Sequence, residues 1–265
     1  MKMLKILVGC PTSEHKAYCL KDYADAVKRL DYPNFDILLV DNSEHDAYMK
    51  AIHDAELSVI KGPYSKHVMQ RIVDSRNLLV KMAIDGNYDC LFSLEQDVIP
   101  PRDALKQLLA AGKDVVTGVY CKPWTMAVGE QATIMPLVWD YLTEQDYTAL
   151  LKHVQLKEKN PELYALLHTA KDYAEARQRV RKPITLAQVQ KPELRQVKSA
   201  GVGCMLISRD VLKKIKFRTN SNGFDDMTFC EDLEKAGIPL FLSTAVKCDH
   251  LVKMGQWESI MKEQK

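Results

Sequence analysis

Two carboxylates one residue apart, Glu95 and Asp97, follow the apolar run Cys90-Leu91-Phe92-Ser93-Leu94 and precede Pro100-Pro101. At the end of a strand, side chains at alternate positions leave the pleat on one face, so the pair can share a cation. Hard divalent ions such as Mg²⁺ and Mn²⁺ take oxygen ligands and keep positions open for substrate phosphates; one or two protein carboxylates suffice when a diphosphate completes the shell. A solvated acidic turn before a proline stop is the plainer reading, and the motif alone leaves both open.

Four further groups have chemical potential. Asp41-Asn42-Ser43 closes the strand-like run from Phe35 to Val40, and open α/β sheets bind ligands beyond the carboxyl ends of their strands. Phe224-Asp225-Asp226 introduces a helical stretch, Met227 to Ala236, closed by Gly237; carboxylates there favour the helix N-terminus whatever else they do. Gly201-Val202-Gly203 interrupts an otherwise apolar strand, which fits close approach by a ligand, by another backbone, or a bulge. His250 follows the last short strand, where an imidazole is either a satisfied structural group or a ligand.

The elements that must hold these residues alternate between strand and helix patterns, which makes the class α/β. Leu4–Gly9 reads as a strand, Ser13–Leu30 as helical, Phe35–Val40 as a second strand and Ser58–Ile60 as a third, at an edge. Val68–Ala83 is an amphipathic helix containing Ser75-Arg76-Asn77, closed by Asp85-Gly86-Asn87. Asp103–Ala111 is expected as helix, Asp114–Tyr120 and Lys198–Ser208 as strands, and Pro239–Leu242 and Ala245–Lys247 as short strand pieces. Asn220-Ser221-Asn222-Gly223 reads as a polar turn. From about Asp140 to Val197 the strand pattern lapses into a helical insertion, with a capping box at Thr143 and Asp146 and a second helix opened by Asn160-Pro161 and ended by Pro183.

The chain has 265 residues and a formal net charge of +2, enough length for a sizeable core and no general affinity for polyanions. Charge gathers in the insertion: Leu151–Lys198 carries 11 Lys/Arg against 5 Asp/Glu, a local +6. That is a solvated helical face or a patch for an anionic acceptor or membrane surface. Seven cysteines, an odd number without a C-x-x-C pair, read as buried free thiols. The short apolar stretch before Pro11 and the lack of a spanning segment give a cytoplasmic, non-spanning protein, with peripheral membrane association left open.

Taken in order, Pro11-Thr12, Val40-Asp41-Asn42-Ser43, Ser75-Arg76-Asn77, Glu95-x-Asp97 and Phe224-Asp225-Asp226-x-x-Phe229-Cys230 leading to His250 resemble the glycosyltransferases of the GT-A fold, with a family 2-like pattern. The resemblance implies a Rossmann-like, mostly parallel central sheet flanked by helices, and transfer of a sugar, of hexosyl type, from a nucleotide-diphosphate donor. It implies a single domain over 1–265: a nucleotide-sugar-binding half (1–126), the insertion (127–197) and an acceptor and catalytic half (198–265). By the same resemblance, Pro11, Thr12 and Asp41 would hold the base and ribose, Arg76 would lie near the diphosphate, and Gly201 and Gly203 beneath the donor sugar. Asp97 and Glu95 would hold the metal, Mn²⁺ or Mg²⁺, with His250 as a further ligand; Glu95 departs from the family's usual Asp. Asp226 would be the general base beside Asp225, with Asp232 in reserve, which leans the stereochemistry towards inversion. The donor would be a UDP-sugar or a GDP-sugar, and the acceptor a glycan, lipid-linked, protein, small-molecule or nucleic-acid hydroxyl.

A sugar nucleotidyltransferase needs a glycine-rich phosphate loop where Gly9-Cys10-Pro11-Thr12-Ser13 has one glycine. A nucleic-acid protein would interleave aromatics with its basic residues or show a helix-turn-helix or zinc pattern. A non-catalytic nucleotide-sugar-binding protein on the same scaffold remains the alternative, with the Glu95 departure giving it room.

Overall fold

The structure is a computed structural model, and it describes residues 3–124, 133–220 and 224–251. Seven strands form the central sheet in the order Leu194–Val197, Leu240–Lys247, Val115–Val119, Cys204–Ser208, Cys90–Leu94, Ile6–Gly9 and Phe35–Ile37. Five run in one direction, while Cys204–Ser208 and Leu194–Val197 run against them. Strand alternation divides the apolar side chains between two cores: Ile6, Val8, Cys90 and Phe92 face one, Leu7 and Leu91 the other. Burial on both faces is why these strands read as unbroken apolar runs.

Helices cover each face. Leu20–Lys28 places Leu20, Tyr23, Ala24 and Val27 in the first core, and the 18-residue helix Val68–Asp85 places Val73, Leu79, Val80 and Ala83 in the second. The Ser13–Leu30 stretch begins as a 3₁₀ helix over Glu14–Cys19 before it becomes α-helical.

The expected strand Phe35–Val40 is two strands. Its first part pairs with Ile6–Gly9; after Leu38 the chain crosses into a separate three-stranded parallel sheet made of Pro11–Thr12, Leu39–Asp41 and Val59–Lys61. Thr12 and Asp41 end side by side in that register. The pieces expected at Pro239–Leu242 and Ala245–Lys247 are one strand, Leu240–Lys247.

The helical insertion holds four helices, Glu144–Leu151, Leu156–Lys159, Pro161–His168 and Tyr173–Arg179, around a small core of Leu142, Leu156, Leu167, Ala176 and Val180. Thr143 and Asp146 form the capping box, and the Asn160 side chain accepts from the Leu163 amide. The helix expected to run to Pro183 stops at His168, because Asp172 caps a new one and Arg181–Pro183 is an edge strand paired with Val138–Tyr141. Proline tolerates that edge, where its missing N–H is not needed. All seven cysteines are buried free thiols. Among the described residues no helix is long and apolar enough to cross a membrane. Most of the turn Asn220–Gly223 and the boundary at 126–127 lie outside the described residues.

Candidate active site

A cleft of about 450 Å³ opens where the parallel strands Ile6–Gly9 and Cys90–Leu94 end. Four segments line it: Pro11-Thr12-Ser13 with His15 and Lys16, Asn42, one face of Val68–Asp85 including Arg71 and Arg76, and Glu95-Gln96 opposite Phe224-Asp225-Asp226. This is the crevice beyond the carboxyl ends of strands where open α/β sheets bind ligands.

The tripeptide Ser75-Arg76-Asn77 ties three elements to the long helix. Asn42 Nδ2 donates to Ser75 Oγ at 3.3 Å, and Asn77 exchanges two hydrogen bonds with the Phe217 backbone at 2.8 and 3.0 Å. Arg76, buried, donates through Nε to Asp225, through Nη2 to Glu95 Oε1 at 2.6 Å and through Nη1 to Ser93 Oγ at 3.3 Å. Burial pulls the guanidinium down, and Asp225 and Glu95 outweigh it, so Arg76 stays charged. The resemblance puts Arg76 near the diphosphate; here its guanidinium instead clamps two carboxylates of the cleft together.

The Arg76 clamp also changes the reading of Glu95 and Asp97. The strand stops at Leu94, and the Val98 amide donates to the Glu95 carbonyl at 2.9 Å, closing a turn that ends the pleat's alternation. Glu95 therefore turns to Arg76, while Asp97 is buried with a different set of partners. The expectation that both leave one face of a strand is corrected by that turn.

Asp97 meets His250. Asp249–His250 pairs antiparallel with Val98–Ile99, His250 opposite Val98, and the Leu251 amide donates to the Asp97 carbonyl at 2.9 Å. This zipper brings His250 Nε2 to 3.4 Å from Asp97 Oδ2. His250 Nδ1 lies 2.7 Å from the Cys121 carbonyl, which accepts a hydrogen bond from it, and Nε2 faces the carboxylate. The ring is steadied by Tyr120, edge-on with centroids 5.3 Å apart. Lys16 Nζ contacts the same Asp97 oxygen, Oδ2, while Oδ1 is buried without a partner. Burial alone would raise the Asp97 pKa, but His250 and Lys16 outweigh it and bring it down to about 2. Burial would likewise lower Lys16, and Asp97 holds it above its ordinary value.

At the far end of the chain, Asp225 and Asp226 occupy the first turn of the helix Asp225–Lys235. Asp225 is held by Arg76. Asp226 lines the cleft, accepts from the Met227 amide at 2.7 Å and has its pKa pushed up to about 6, first by burial and then by the charges of Asp225 and Glu95, against Arg76 and the amide. Asp232 is not among the cleft residues: it lies about 10 Å further along the helix axis and forms a two-pronged pair with Arg218 at 2.6 and 2.8 Å.

The remaining candidates divide. Pro11 and Thr12 line the cleft; Asp41 sits behind it, fully buried, with Oδ1 accepting from the Ser43 amide and hydroxyl at 3.0 and 2.6 Å and Lys61 Nζ 3.4 Å from Oδ2. Asn42 is the residue of that cluster that faces the cleft. A Cβ on Gly201 would lie 2.1 Å from Tyr120 Oη, and one on Gly203 would lie 2.8 Å from Tyr120 Oη and 3.1 Å from Glu95 Oε2. The Tyr120 side chain makes a close approach that requires these glycines, and its oxygen meets the Gly203 amide at 3.0 Å.

Two site residues escaped sequence reasoning. Gln96, the residue between the two acids, is buried and bridges Thr12 Oγ1, Tyr48 Oη and the Lys16 carbonyl, the last at 2.8 Å. Lys16 lies in a stretch whose pattern reads as an ordinary surface helix. The only available signal for Gln96 was its confinement between two acids beside a buried strand.

No protein-family model matches the chain, and no curated protein matches it in sequence. Solved structures do match. GalNAc-T7 with UDP, GalNAc and Mn²⁺ aligns with a TM-score of 0.58 and 12% identity over 94% of this chain and 44% of its own. The mannosyltransferase PcManGT from Pyrobaculum calidifontis with GDP-Man and Mn²⁺ gives 0.55 and 15% over 97% and 59%. S. aureus TarS 1-349 with UDP-GlcNAc gives 0.51 and 13% over 98% and 65%. The chain thus spans between 44% and 65% of the length of these three proteins. The fold is that of the GT-A nucleotide-sugar glycosyltransferases, a mixed α/β architecture with a mostly parallel central sheet.

Proposed function

We propose that the chain is a divalent-metal-dependent glycosyltransferase that moves a sugar from a nucleotide-diphosphate donor to an acceptor hydroxyl with inversion. The observation that carries this reading is the convergence of Asp97 and His250 beside the cleft, with Asp97 Oδ1 buried and unpartnered. A buried carboxylate with one oxygen, Oδ1, lacking a donor and the other, Oδ2, faced by an imidazole nitrogen forms a set that fits a dication. Among the described residues no cluster of three or more His, Cys, Asp or Glu gathers, so Asp97 and His250 would hold the ion and leave the rest of its shell to donor oxygens and water, as Mg²⁺ and Mn²⁺ commonly require. When bound, the ion would supply Lewis-acid neutralisation of the departing diphosphate.

The other residues do the rest of the work in this reading. Thr12, Asn42 and Pro11 flank the nucleotide end of the cleft, and Asp41 shapes that end through Ser43. The Arg76 clamp holds Asp225 and Glu95 at fixed positions, and their charges bear on Asp226. Asp226 takes the proton of the acceptor hydroxyl; a base with a pKa near 6 is ionised at neutral pH yet basic enough to assist attack. In-line attack opposite the leaving group gives inversion. Residues 1–126 serve the donor and 198–265 the acceptor, with the insertion 127–197 shaping the acceptor end. A UDP-sugar is the first donor to try and a GDP-sugar the second, since the structures of like fold carry UDP, UDP-GlcNAc or GDP-Man. A cytoplasmic setting, with the +6 stretch Leu151–Lys198 against an anionic surface, suits the free thiols.

The test is release of nucleotide diphosphate from UDP- and GDP-sugars with Mn²⁺ present and after chelation, with and without acceptor alcohols. Turnover that needs the metal supports the proposal. Donor binding by calorimetry with no turnover under any of these conditions would instead support a non-catalytic nucleotide-sugar-binding protein.

A further inference from the structure

Lys16 is the one cleft residue whose position conflicts with a cation on Asp97. Its ammonium contacts Oδ2, the oxygen that His250 Nε2 faces at 3.4 Å. An ammonium and a dication cannot share that oxygen without strong like-charge repulsion in a buried setting. Its base is fixed, because Gln96 Nε2 donates to the Lys16 carbonyl at 2.8 Å. Its side chain is not: 34% of it is exposed, against 2% for Asp97, and it lines the cleft. Four methylenes on an anchored backbone let the charge swing within the cleft without a change of fold.

Charge balance gives the swing a destination. The other lysine and arginine side chains lining the cleft, among the described residues, are Arg71 and Arg76, and Arg76 is committed to Asp225 and Glu95. In the empty cleft Asp97 and Lys16 cancel. A dication and the pair of negative charges on a sugar-nucleotide diphosphate also cancel, so both states stay neutral if Lys16 remains inside and turns to the phosphate oxygens.

Resting on the metal-dependent reading above, we propose that Lys16 is a charge gate. It neutralises Asp97 in the empty cleft, yields that oxygen to the arriving cation, and then holds the donor's diphosphate. The gate makes metal and donor bind cooperatively: the cation alone must displace an ion pair, whereas cation and diphosphate together give the displaced ammonium a new partner.

The experiment compares the wild type, Lys16→Met and Lys16→Arg, each checked for folding by circular dichroism. Mn²⁺ binding is measured by calorimetry without nucleotide, and UDP binding at saturating Mn²⁺. Lys16→Met should bind Mn²⁺ alone roughly tenfold more tightly and UDP roughly tenfold more weakly, within the usual range of coupling between two ligands. Lys16→Arg should stay near the wild type on both. Equal Mn²⁺ affinity in wild type and Lys16→Met, whether or not UDP weakens, overturns the gate while leaving the metal reading intact. No Mn²⁺ binding to any variant, even with UDP present, overturns the metal reading and the gate with it.

Discussion

Arg76 and Asp225 are paired through Nε and Oδ2 within the cleft, joining the middle of one helix to the first turn of another. The same guanidinium holds Glu95 at 2.6 Å, so two helices and the loop after Leu94 meet at one buried cation. Breaking a buried pair by removing one partner leaves the other charge uncompensated, at about 3 to 5 kcal/mol. Arg76→Met is therefore expected to lower the free energy of unfolding by that amount at pH 7, read from urea denaturation, with unchanged slope. A variant that kept wild-type stability but lost UDP affinity would mean that the arginine serves the diphosphate rather than the clamp.

Asp226 carries the clearest pH dependence. Its folded-state pKa of about 6 lies above the ordinary 3.8, so its contribution to stability is present in full below 3.8 and is lost as pH rises through about 6. At pH 8 the ionised group destabilises the fold, and Asp226→Asn should be more stable than the wild type by on the order of 2 kcal/mol. The difference should vanish near pH 3.5, which thermal unfolding across that range would reveal. A variant less stable than the wild type at pH 8 contradicts the burial argument.

Activity should follow the same ionisation in the opposite sense. If Asp226 is the base, kcat/KM rises with pH through about 6 and levels off above 7. Asp226→Asn should depress transfer by roughly 100-fold or more with donor binding little changed. Asp232→Asn, which breaks a partly exposed pair with Arg218, should cost less than threefold in rate, about what a surface pair contributes. The reverse ranking would move the base to Asp232.

The proposed metal ligands are testable without turnover. Loss of a partner that merely orients a ligand costs 10- to 100-fold in metal affinity, so loss of a ligand should cost at least about 100-fold. Asp97→Asn and His250→Ala should each show that loss in Mn²⁺ calorimetry at saturating UDP, while Glu95→Gln should change the affinity by less than about fivefold because Glu95 faces Arg76. A large loss in Glu95→Gln would show that the carboxylate leaves the clamp when the cleft fills.

How far the sequence reveals such a site depends on whether position or partner is asked for. Asp97 is legible because an acid three residues beyond a five-residue buried strand must lie near a sheet end. The meeting of His250 with it is implied only by the family resemblance, since it depends on an antiparallel pairing of Asp249–His250 with Val98–Ile99 that no spacing encodes. Arg76 lines the cleft and Asp41 sits behind it, but their partners are set by tertiary packing: Arg76 turns to two carboxylates, Asp41 to Ser43. The Phe35–Val40 run shows a strand, whereas its break at Leu38 comes from a change of sheet, which a continuous apolar pattern hides. Lys16 left no trace because a long side chain on a short 3₁₀ helix has the same local pattern whether its ammonium points outward or onto a buried acid.

The glycine strand offers a separate test of whether packing or ligand contact requires small residues there. A methyl group on Gly201 would sit 2.1 Å from Tyr120 Oη and 3.0 Å from Cζ, so the ring must move. Tyr120 is buried against His250, and overpacking of this kind commonly costs about 1 to 3 kcal/mol. Gly201→Ala should therefore lose stability in that range, and Tyr120→Phe, which removes the nearest atom, should recover part of it in the double variant. The displaced ring should also disturb His250, so Mn²⁺ affinity should fall in Gly201→Ala and return in the double variant. If Gly201→Ala instead keeps its stability and metal affinity while KM for the donor rises, the small residue serves the sugar and not Tyr120.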